Sequence, residues 1–109
     1  MNYKPPLVLK SPEELALMRK AGKVAWRALS LMEEAARPGV TLLELDRLAE
    51  EFLHSEGMTP SFKDYSPPFN RERAYPAAIC ASVNEQVVHG VPTGRKLLRG
   101  DIVGLDLGV

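Results

Sequence analysis

The sequence predicts an α+β fold in which two amphipathic helices pack on a mostly antiparallel sheet. Two observations carry this prediction. Apolar residues recur at steps of three and four in two segments of the first half, and runs rich in β-branched residues follow in the last third. Proline- and glycine-rich stretches separate these segments, as is typical of connections. The predicted order is helix, helix, loop, β-hairpin, loop and strand, within one small domain or part of a larger one.

Length and charge limit the classes of function that the chain can have. It has 109 residues, with 14 basic and 14 acidic side chains and no net charge at pH 7. Neither sign forms a long block, so we expect no nucleic-acid partner and no membrane partner. A single cysteine, Cys80, excludes an internal disulfide and fits a reducing compartment. The N-terminus lacks the apolar core of a signal peptide, so the expected location is cytoplasmic.

The first helix is predicted to follow an N-terminal tail of residues 1–10, so that residues 11–109 form the domain. Ser11 and Glu14 have the spacing of a capping box, and a proline occupies the first helical position between them. The helix is predicted to end near Arg37, because the Pro-Gly pair that follows is a strong breaker.

One apolar stripe along this helix is the predicted buried face. Its members, at alternating steps of three and four, are Leu15, Met18, Gly22, Ala25, Leu29 and Met32. Trp26 widens the stripe. Gly22 is predicted to mark a close approach to another backbone.

The second helix is predicted to begin at another capping box, formed by Thr41 and Glu44. Its predicted buried residues are Leu45, Leu48, Phe52 and Leu53. Its charged residues are predicted to lie mostly on the solvent side, and they are Glu44, Asp46, Arg47, Glu50 and Glu51. His54 has no second ligand one helical turn away, so the pattern does not favour a metal site there.

The segment 58–73 is predicted to be a loop, because three prolines interrupt it. Aromatic residues cluster in it and at its exit: Phe62, Tyr65, Phe69 and Tyr75. Aromatic loops of this kind line pockets or cover the end of a small core, and the pattern leaves both interpretations open.

A β-hairpin is predicted next, with strands at 77–83 and 87–88 joined by a turn at Asn84-Glu85. His89 follows, where an imidazole can bind a metal, donate a hydrogen bond or act as an acid or base. A satisfied histidine at a strand end is the alternative. Cys80, within the first strand, has the pattern of a small packed residue rather than of a nucleophile.

The final strand, 102–109, contains one acid, Asp106. Alternation places Asp106 on the face opposite to Val103, Leu105 and Leu107, and glycines stand two residues away on either side. These glycines are predicted to leave room around the carboxylate for an ion, a water or a substrate. Pairing with Arg95 or Arg99 is the structural alternative for Asp106.

Several motifs together resemble the N-terminal half of a type I methionine aminopeptidase. They are SPEELALMRKAG, RPGVTLLELD, SFKDY, SVNEQVVHGVP and LLRGDIVGLDLGV, and they extend over almost the whole chain, from about Leu9 to Val109. The string N-E-x-V-x-H-G-x-P is the most specific of them. The resemblance implies half of a pita-bread fold, in which two α/β halves form one curved sheet.

The resemblance also implies roles for individual residues. Asp106 matches the first of five metal ligands that hold two divalent ions, which in the family are cobalt, manganese, iron or zinc. His89 matches the histidine that contacts substrate and stabilises the transition state. Tyr65, Tyr75 and Cys80 match positions that line the methionine side-chain pocket. The implied substrates are peptides with an N-terminal methionine, including nascent chains.

The chain stops before the other four ligands that the resemblance requires. We therefore expect a truncated domain that is inactive by itself, since one carboxylate cannot organise a two-metal site. A self-associating half-domain is the alternative, a homodimer scaffold formed through the apolar strand 105–109. A catalytically inactive relative that binds partners is a further reading, and it is less favoured because Asp106 and His89 are retained.

Overall fold

The computed structural model describes residues 6–109, and the first five residues of the predicted tail lie outside this range. It contains two helices followed by two strands. They are α1 (Pro12–Ala35), α2 (Leu42–Ser55), β1 (Ile79–Val83) and β2 (Val103–Leu107). Both helices lie against a two-stranded antiparallel sheet, which confirms the α+β fold. None of the helices described is long and apolar enough to cross a membrane.

Both helices begin at the predicted capping boxes. The Ser11 hydroxyl accepts a hydrogen bond from the Glu14 backbone N–H at 3.1 Å, and the Glu14 carboxylate accepts one from the Ser11 N–H at 2.9 Å. Thr41 and Glu44 repeat the arrangement at 3.1 and 2.6 Å. Each cap satisfies backbone donors that a helix start leaves unpaired, a contribution of about 1 kcal/mol per helix.

The buried face of α1 is not the predicted stripe. Val24, Ala28 and Met32 are its buried residues, so Met32 is the only member of the predicted stripe that is buried. No residue between 12 and 20 is buried, so the first turns of α1 contribute nothing to the core of the described residues. Gly22 also differs from the prediction, since no atom of the described residues lies within 4 Å of a Cβ built on it.

The buried face of α2 includes one acid that the sequence analysis assigned to solvent. The buried residues are Leu42, Leu45, Asp46, Ala49 and Leu53. Asp46 is therefore a correction. Its side chain points into the contact between α2 and β1, where backbone N–H groups are available to it.

The predicted hairpin is wrong, because β1 pairs with β2 instead. The register places Cys80 opposite Asp106 and Val83 opposite Val103. A turn does occur at Asn84, whose φ is 52°. Its side-chain carbonyl accepts a hydrogen bond from the Ile102 N–H at 3.0 Å, and this contact ties the end of β1 to the start of β2.

The segment after the turn runs back along the free edge of β1 without forming a strand. It makes one backbone hydrogen bond there, from the Ala81 N–H to the Gly90 carbonyl at 2.8 Å. Val87 and Val88 are exposed. Alternation along β2 follows the prediction: Val103, Leu105 and Leu107 pack towards the helices, while Gly104 and Asp106 are exposed.

Candidate active site

Cys80 and Asp106 lie side by side on the face of the sheet that the helices leave open. The antiparallel register pairs them, and alternation directs both side chains away from the core of α1, α2 and the sheet. Cys80 is buried, whereas Asp106 is exposed. Two residues 26 positions apart in the sequence thus form the floor of one site.

A cavity of about 700 Å³ opens above this floor. It brings together all five residues that the sequence analysis singled out. The lining residues are Phe62, Tyr65, Pro67, Tyr75, Cys80, His89, Val91 and Asp106. Apolar and aromatic side chains form most of the wall, and His89 and Asp106 contribute an imidazole and a carboxylate to it. Such a wall suits an apolar side chain attached to a polar group.

The aromatic loop lines this cavity. The Asp64 N–H donates to the Tyr75 carbonyl and the Tyr75 N–H donates to the Tyr65 carbonyl, both at 2.8 Å, so the two ends of the loop are joined. Phe62 meets the Tyr75 ring edge to face, with centroids 6.4 Å apart. Of the two interpretations of the loop, pocket lining therefore describes Phe62, Tyr65 and Tyr75. Phe69 is exposed.

Tyr75 has a fixed orientation. Its hydroxyl donates a hydrogen bond to the Ile79 carbonyl at 2.9 Å and approaches the Gly90 carbonyl at 3.4 Å. Burial raises the pKa of the Tyr75 phenol above its ordinary value, because the phenolate would lose hydration there. The phenol is therefore neutral near pH 7 and acts as a donor to backbone.

His89 is positioned by the glycine that follows it. A Cβ on Gly90 would lie 2.3 Å from the Ala81 carbonyl oxygen, so only glycine allows this segment to lie against β1. The Gly90 N–H also donates to the Ser82 hydroxyl at 3.0 Å. His89 itself has a φ of 60°, in the left-handed region. The backbone conformation and the contact with β1 place the imidazole at the cavity.

The surroundings of Asp106 differ from the expectation in two ways. Arg95 does not pair with it, because the Arg95 guanidinium contacts Asp101 at 2.9 Å, and no ion pair within residues 6–109 joins Arg99 to Asp106. The flanking glycines also differ from each other. A Cβ on Gly104 would make only ordinary contact, 3.8 Å from the Ser82 carbonyl oxygen, but a Cβ on Gly108 would lie 2.9 Å from the Ser61 side chain. Gly108 therefore allows the chain after β2 to contact the aromatic loop at Ser61. It does not serve to leave space around the Asp106 carboxylate.

Asp46 stabilises the start of β1, the strand that carries Cys80, and the sequence analysis missed this role. Its carboxylate accepts hydrogen bonds from the N–H groups of Ala78 and Ile79, at 2.8 and 3.1 Å, at the start of β1. Burial raises its pKa. The sequence feature that indicates burial of Asp46 is its spacing from apolar residues of α2. Steps of four, three and four residues join it to Leu42, Ala49 and Leu53. A charged residue at a position of the buried face indicates a specific partner.

Comparison with known proteins identifies the family. The model of metallopeptidase family M24 matches residues 16–109. The chain belongs to metallopeptidase family M24. It is 48% identical over 103 residues to a methionine aminopeptidase of Clostridium perfringens, which covers 94% of this chain and 39% of the relative. A methionine aminopeptidase of Helicobacter pylori is 48% identical over 101 residues, covering 93% of this chain and 37% of the relative.

Solved structures of M24 metallopeptidases share the fold. The methionine aminopeptidase of Thermotoga maritima superimposes with a TM-score of 0.83 at 36% identity, over 94% of this chain and 39% of that one. The enzyme of Rickettsia prowazekii gives 0.80 at 31% identity, over 94% and 38%. The chain thus has the fold of the N-terminal portion of a pita-bread methionine aminopeptidase, as the resemblance implied. It spans less than two fifths of the length of the relatives named here.

Membership of family M24 implies a divalent metal in the whole protein, and the described residues do not form such a site. No group of three or more His, Cys, Asp or Glu side chains within residues 6–109 is placed to hold an ion. Asp106 is one exposed carboxylate, and a metal needs several ligands to fix its geometry. The donors described here therefore do not fit a two-metal centre on their own.

Proposed function

We propose that this chain is part of a methionine aminopeptidase that removes the initiator methionine from nascent proteins. The observation that carries the proposal is the single cavity that unites Tyr65, Tyr75 and Cys80 with His89 and Asp106. The similarity to methionine aminopeptidases at up to 48% identity supports it. Initiator methionine is removed from chains that leave the ribosome, so this function would place the protein in the cytoplasm.

In this proposal the aromatic wall binds the methionine side chain. Tyr65 and Tyr75 supply apolar ring surface, and Cys80 supplies a small polarisable floor that suits a thioether. Backbone hydrogen bonds close the aromatic loop, and the hydroxyl hydrogen bond to the Ile79 carbonyl orients the Tyr75 ring before substrate arrives. A preformed pocket loses less conformational entropy on binding than one that must order its walls.

His89 and Asp106 act on the polar end of the substrate. The His89 imidazole would donate a hydrogen bond to the scissile carbonyl, where negative charge develops during hydrolysis. Asp106 would be one ligand of two divalent ions, and the other ligands would come from outside the residues described here. Since one carboxylate cannot complete that centre, we propose that the 109-residue chain alone is inactive and binds metal weakly or not at all.

Methionine release from Met-Ala-Ser, measured by chromatography with added Co²⁺ or Mn²⁺, tests this proposal in two forms of the protein. The chain alone should release no methionine. A chimera in which this chain replaces the matching N-terminal portion of the Clostridium perfringens enzyme should release it. Activity of the isolated chain would contradict the first expectation, and an inactive but folded chimera would contradict the second.

Matched substitutions in the chimera separate the site from the scaffold. Asp106→Asn should abolish release, because it removes a charged ligand without changing shape. Asp64→Asn is the control, since Asp64 is an exposed aspartate outside the cavity lining and its φ of 64° suits asparagine. If both variants keep full activity, the role assigned to Asp106 is wrong.

Self-association through the free edge of β2 is the second candidate function. Within the described residues, β2 pairs only with β1, so its other edge has backbone groups available to another strand. A homodimer formed through residues 105–109 would make the chain a scaffold without catalytic activity. A strictly monomeric mass by light scattering at high micromolar concentration would exclude it.

A further inference from the structure

A partly buried ion pair joins α2 to the aromatic loop. The Lys63 ammonium donates two hydrogen bonds to the Glu50 carboxylate, at 2.7 and 2.9 Å. The two side chains are 35% and 22% exposed, whereas those of the Arg47–Glu51 pair on the same helix are 69% and 63% exposed. Within the described part of the chain, the Glu50–Lys63 pair is the only hydrogen-bonded link from α2 to the segment 60–75. The sequence analysis assigned Glu50 to the solvent side and gave no sign of this partner.

Lys63 lies among the residues that form the aromatic wall of the cavity. It directly follows Phe62 and lies two residues before Tyr65, and both of these line the cavity. The residue between, Asp64, has a φ of 64° and donates its N–H to the Tyr75 carbonyl. Left-handed backbone at a residue other than glycine is held in place by its surroundings. The contacts on either side of Asp64 therefore fix the course of the loop, and the ion pair is the contact that reaches the helix.

Glu50 lies one helical turn after the carboxylate that fixes the floor of the cavity. Asp46 accepts hydrogen bonds from the start of β1, the strand that carries Cys80. A step of four residues places Asp46 and Glu50 on the same face of α2. One helix therefore holds the floor of the cavity through Asp46 and its aromatic wall through Glu50. The distance between floor and wall depends on both contacts.

The electrostatic surroundings of Lys63 favour a permanent ion pair. The hydrogen bond to Glu50 raises the pKa of the Lys63 ammonium above its ordinary value, and the carboxylates of Asp46 and Asp64 act in the same direction. Lys63 is therefore charged throughout the neutral range, and three carboxylates attract it to this position. Neither Glu50 nor Lys63 lines the cavity of the candidate site. Their effect on a bound substrate must therefore pass through the aromatic wall.

We propose that Glu50 and Lys63 are positioning residues that set the width of the methionine pocket. Their ion pair holds Phe62 and Tyr65 at the distance from Cys80 that suits an unbranched thioether side chain. When the pair is broken, the loop moves away from the floor, so the pocket loses contact with methionine and discriminates less against other side chains. The role in methionine binding rests on the proposed function, whereas the position of the loop over Cys80 does not.

The reactivity of the Cys80 thiol measures the position of the loop without any enzymatic activity. Cys80 is the only cysteine of the chain and is 6% exposed at the floor of the cavity. In the 109-residue chain, Lys63→Met should raise the rate of its alkylation by N-ethylmaleimide at least about fivefold, because a partly buried ion pair is lost. Arg47→Met breaks the exposed pair on the same helix and should stay within about twofold. Lys63→Arg keeps the charge and the donors, so it should also leave the rate nearly unchanged.

Urea unfolding separates a positioning role from a purely structural one. If Lys63→Met only destabilised the fold, the thiol would react through global unfolding, and its rate would rise in proportion to the unfolding equilibrium constant. The proposal predicts a larger rise than that. Glu50→Gln, with Glu51→Gln as its control, repeats the measurement from the acidic partner, so the test does not depend on the folding of one variant. An alkylation rate that follows global stability alone, or that both disrupting variants leave unchanged, would overturn the proposal.

Kinetics of the chimera with the Clostridium perfringens enzyme test the consequence for substrate. With Met-Ala-Ser, Lys63→Met should raise KM about fivefold and leave kcat within about twofold, because the wall binds the side chain equally in the ground state and the transition state. The preference for Met-Ala-Ser over Leu-Ala-Ser should fall by a similar factor, and Lys63→Arg should keep both values near those of the unaltered chimera. An unchanged KM and preference in Lys63→Met would overturn the pocket role. An inactive unaltered chimera would instead contradict the proposed function, and the Cys80 rates would still decide whether the pair positions the loop.

Discussion

Asp46 gives the sharpest test of how the helices position the wall of the candidate site. Asp46 is 9% exposed, and its carboxylate accepts hydrogen bonds from the N–H groups of Ala78 and Ile79. These two residues lead into β1, and the Ile79 carbonyl in turn accepts the Tyr75 hydroxyl hydrogen bond. Asp46 therefore fixes the start of the strand that carries Cys80 and orients the tyrosine beside it.

Asp46→Ala and Asp46→Asn separate the hydrogen bonds from the charge. Alanine would leave two buried N–H groups without acceptors, at roughly 1–3 kcal/mol each, so we expect a loss of about 2–6 kcal/mol in the free energy of unfolding. Asparagine keeps a carbonyl oxygen at nearly the same place and removes the charge that burial disfavours. We expect its effect at pH 7 to lie within about 1 kcal/mol of zero.

The two variants also differ in pH dependence. Burial raises the Asp46 pKa above its ordinary value of 3.8, with Glu50 acting in the same direction while the two backbone hydrogen bonds and Lys63 act against it. The folded state then holds the Asp46 proton more tightly than the unfolded state. Stability from this group is complete below pH 3.8 and declines as pH rises through the folded pKa. The unaltered chain should therefore gain stability relative to Asp46→Asn as pH falls towards 3.8.

Urea unfolding followed by circular dichroism at several pH values measures these differences. The reasoning predicts that Asp46→Ala is far less stable than Asp46→Asn at every pH. It would be refuted if Asp46→Ala unfolded within about 0.5 kcal/mol of the unaltered chain, the range of an ordinary surface substitution. It would also be refuted if the pH-dependent difference from Asp46→Asn had the opposite sign.

Three further outcomes follow from contacts at the site. Gly90→Ala should cost about 3 kcal/mol or more in urea unfolding, because its Cβ would overlap a strand carbonyl, whereas Gly94→Ala, with open space around it, should stay within about 0.5 kcal/mol. Tyr75→Phe should cost about 1 kcal/mol and remove the phenol that titrates above its ordinary range in ultraviolet absorbance. The hydrogen bond from Arg95 lowers the Asp101 pKa, so Asp101→Asn should lower the urea midpoint above pH 3.8, and the difference should vanish as pH falls well below that value.

The elements that the sequence predicted correctly depend on neighbours close in the chain. A capping box joins residues three apart, as Ser11 and Glu14 show, so its signal is complete within one turn. The alternation along β2 is equally local. The five site residues were identified through the family motif and also lie together in the structure. Their roles in binding and catalysis remain predictions.

The errors concern partners that local patterns do not specify. Asn84 does form the predicted turn, but its side chain bonds to Asp101 and Ile102, and the strand after the turn is replaced by β2. Strand pairing depends on residues about twenty positions away, and no signal at Val87 or Val88 encodes it. Asp46 was assigned to solvent by its charge, although its spacing placed it on the buried face.

The error in the buried face of α1 also concerns partners that the local pattern does not specify. The helix has two adjacent apolar faces, and periodicity identified the one that includes Leu15 and Trp26 as buried. In the structure α2 and the sheet cover the other face, at Val24 and Ala28. Periodicity measures how apolar a face is, and only tertiary contacts decide what covers it. The close approach predicted at Gly22 is therefore not found within residues 6–109, where no atom lies within 4 Å of a Cβ built on it.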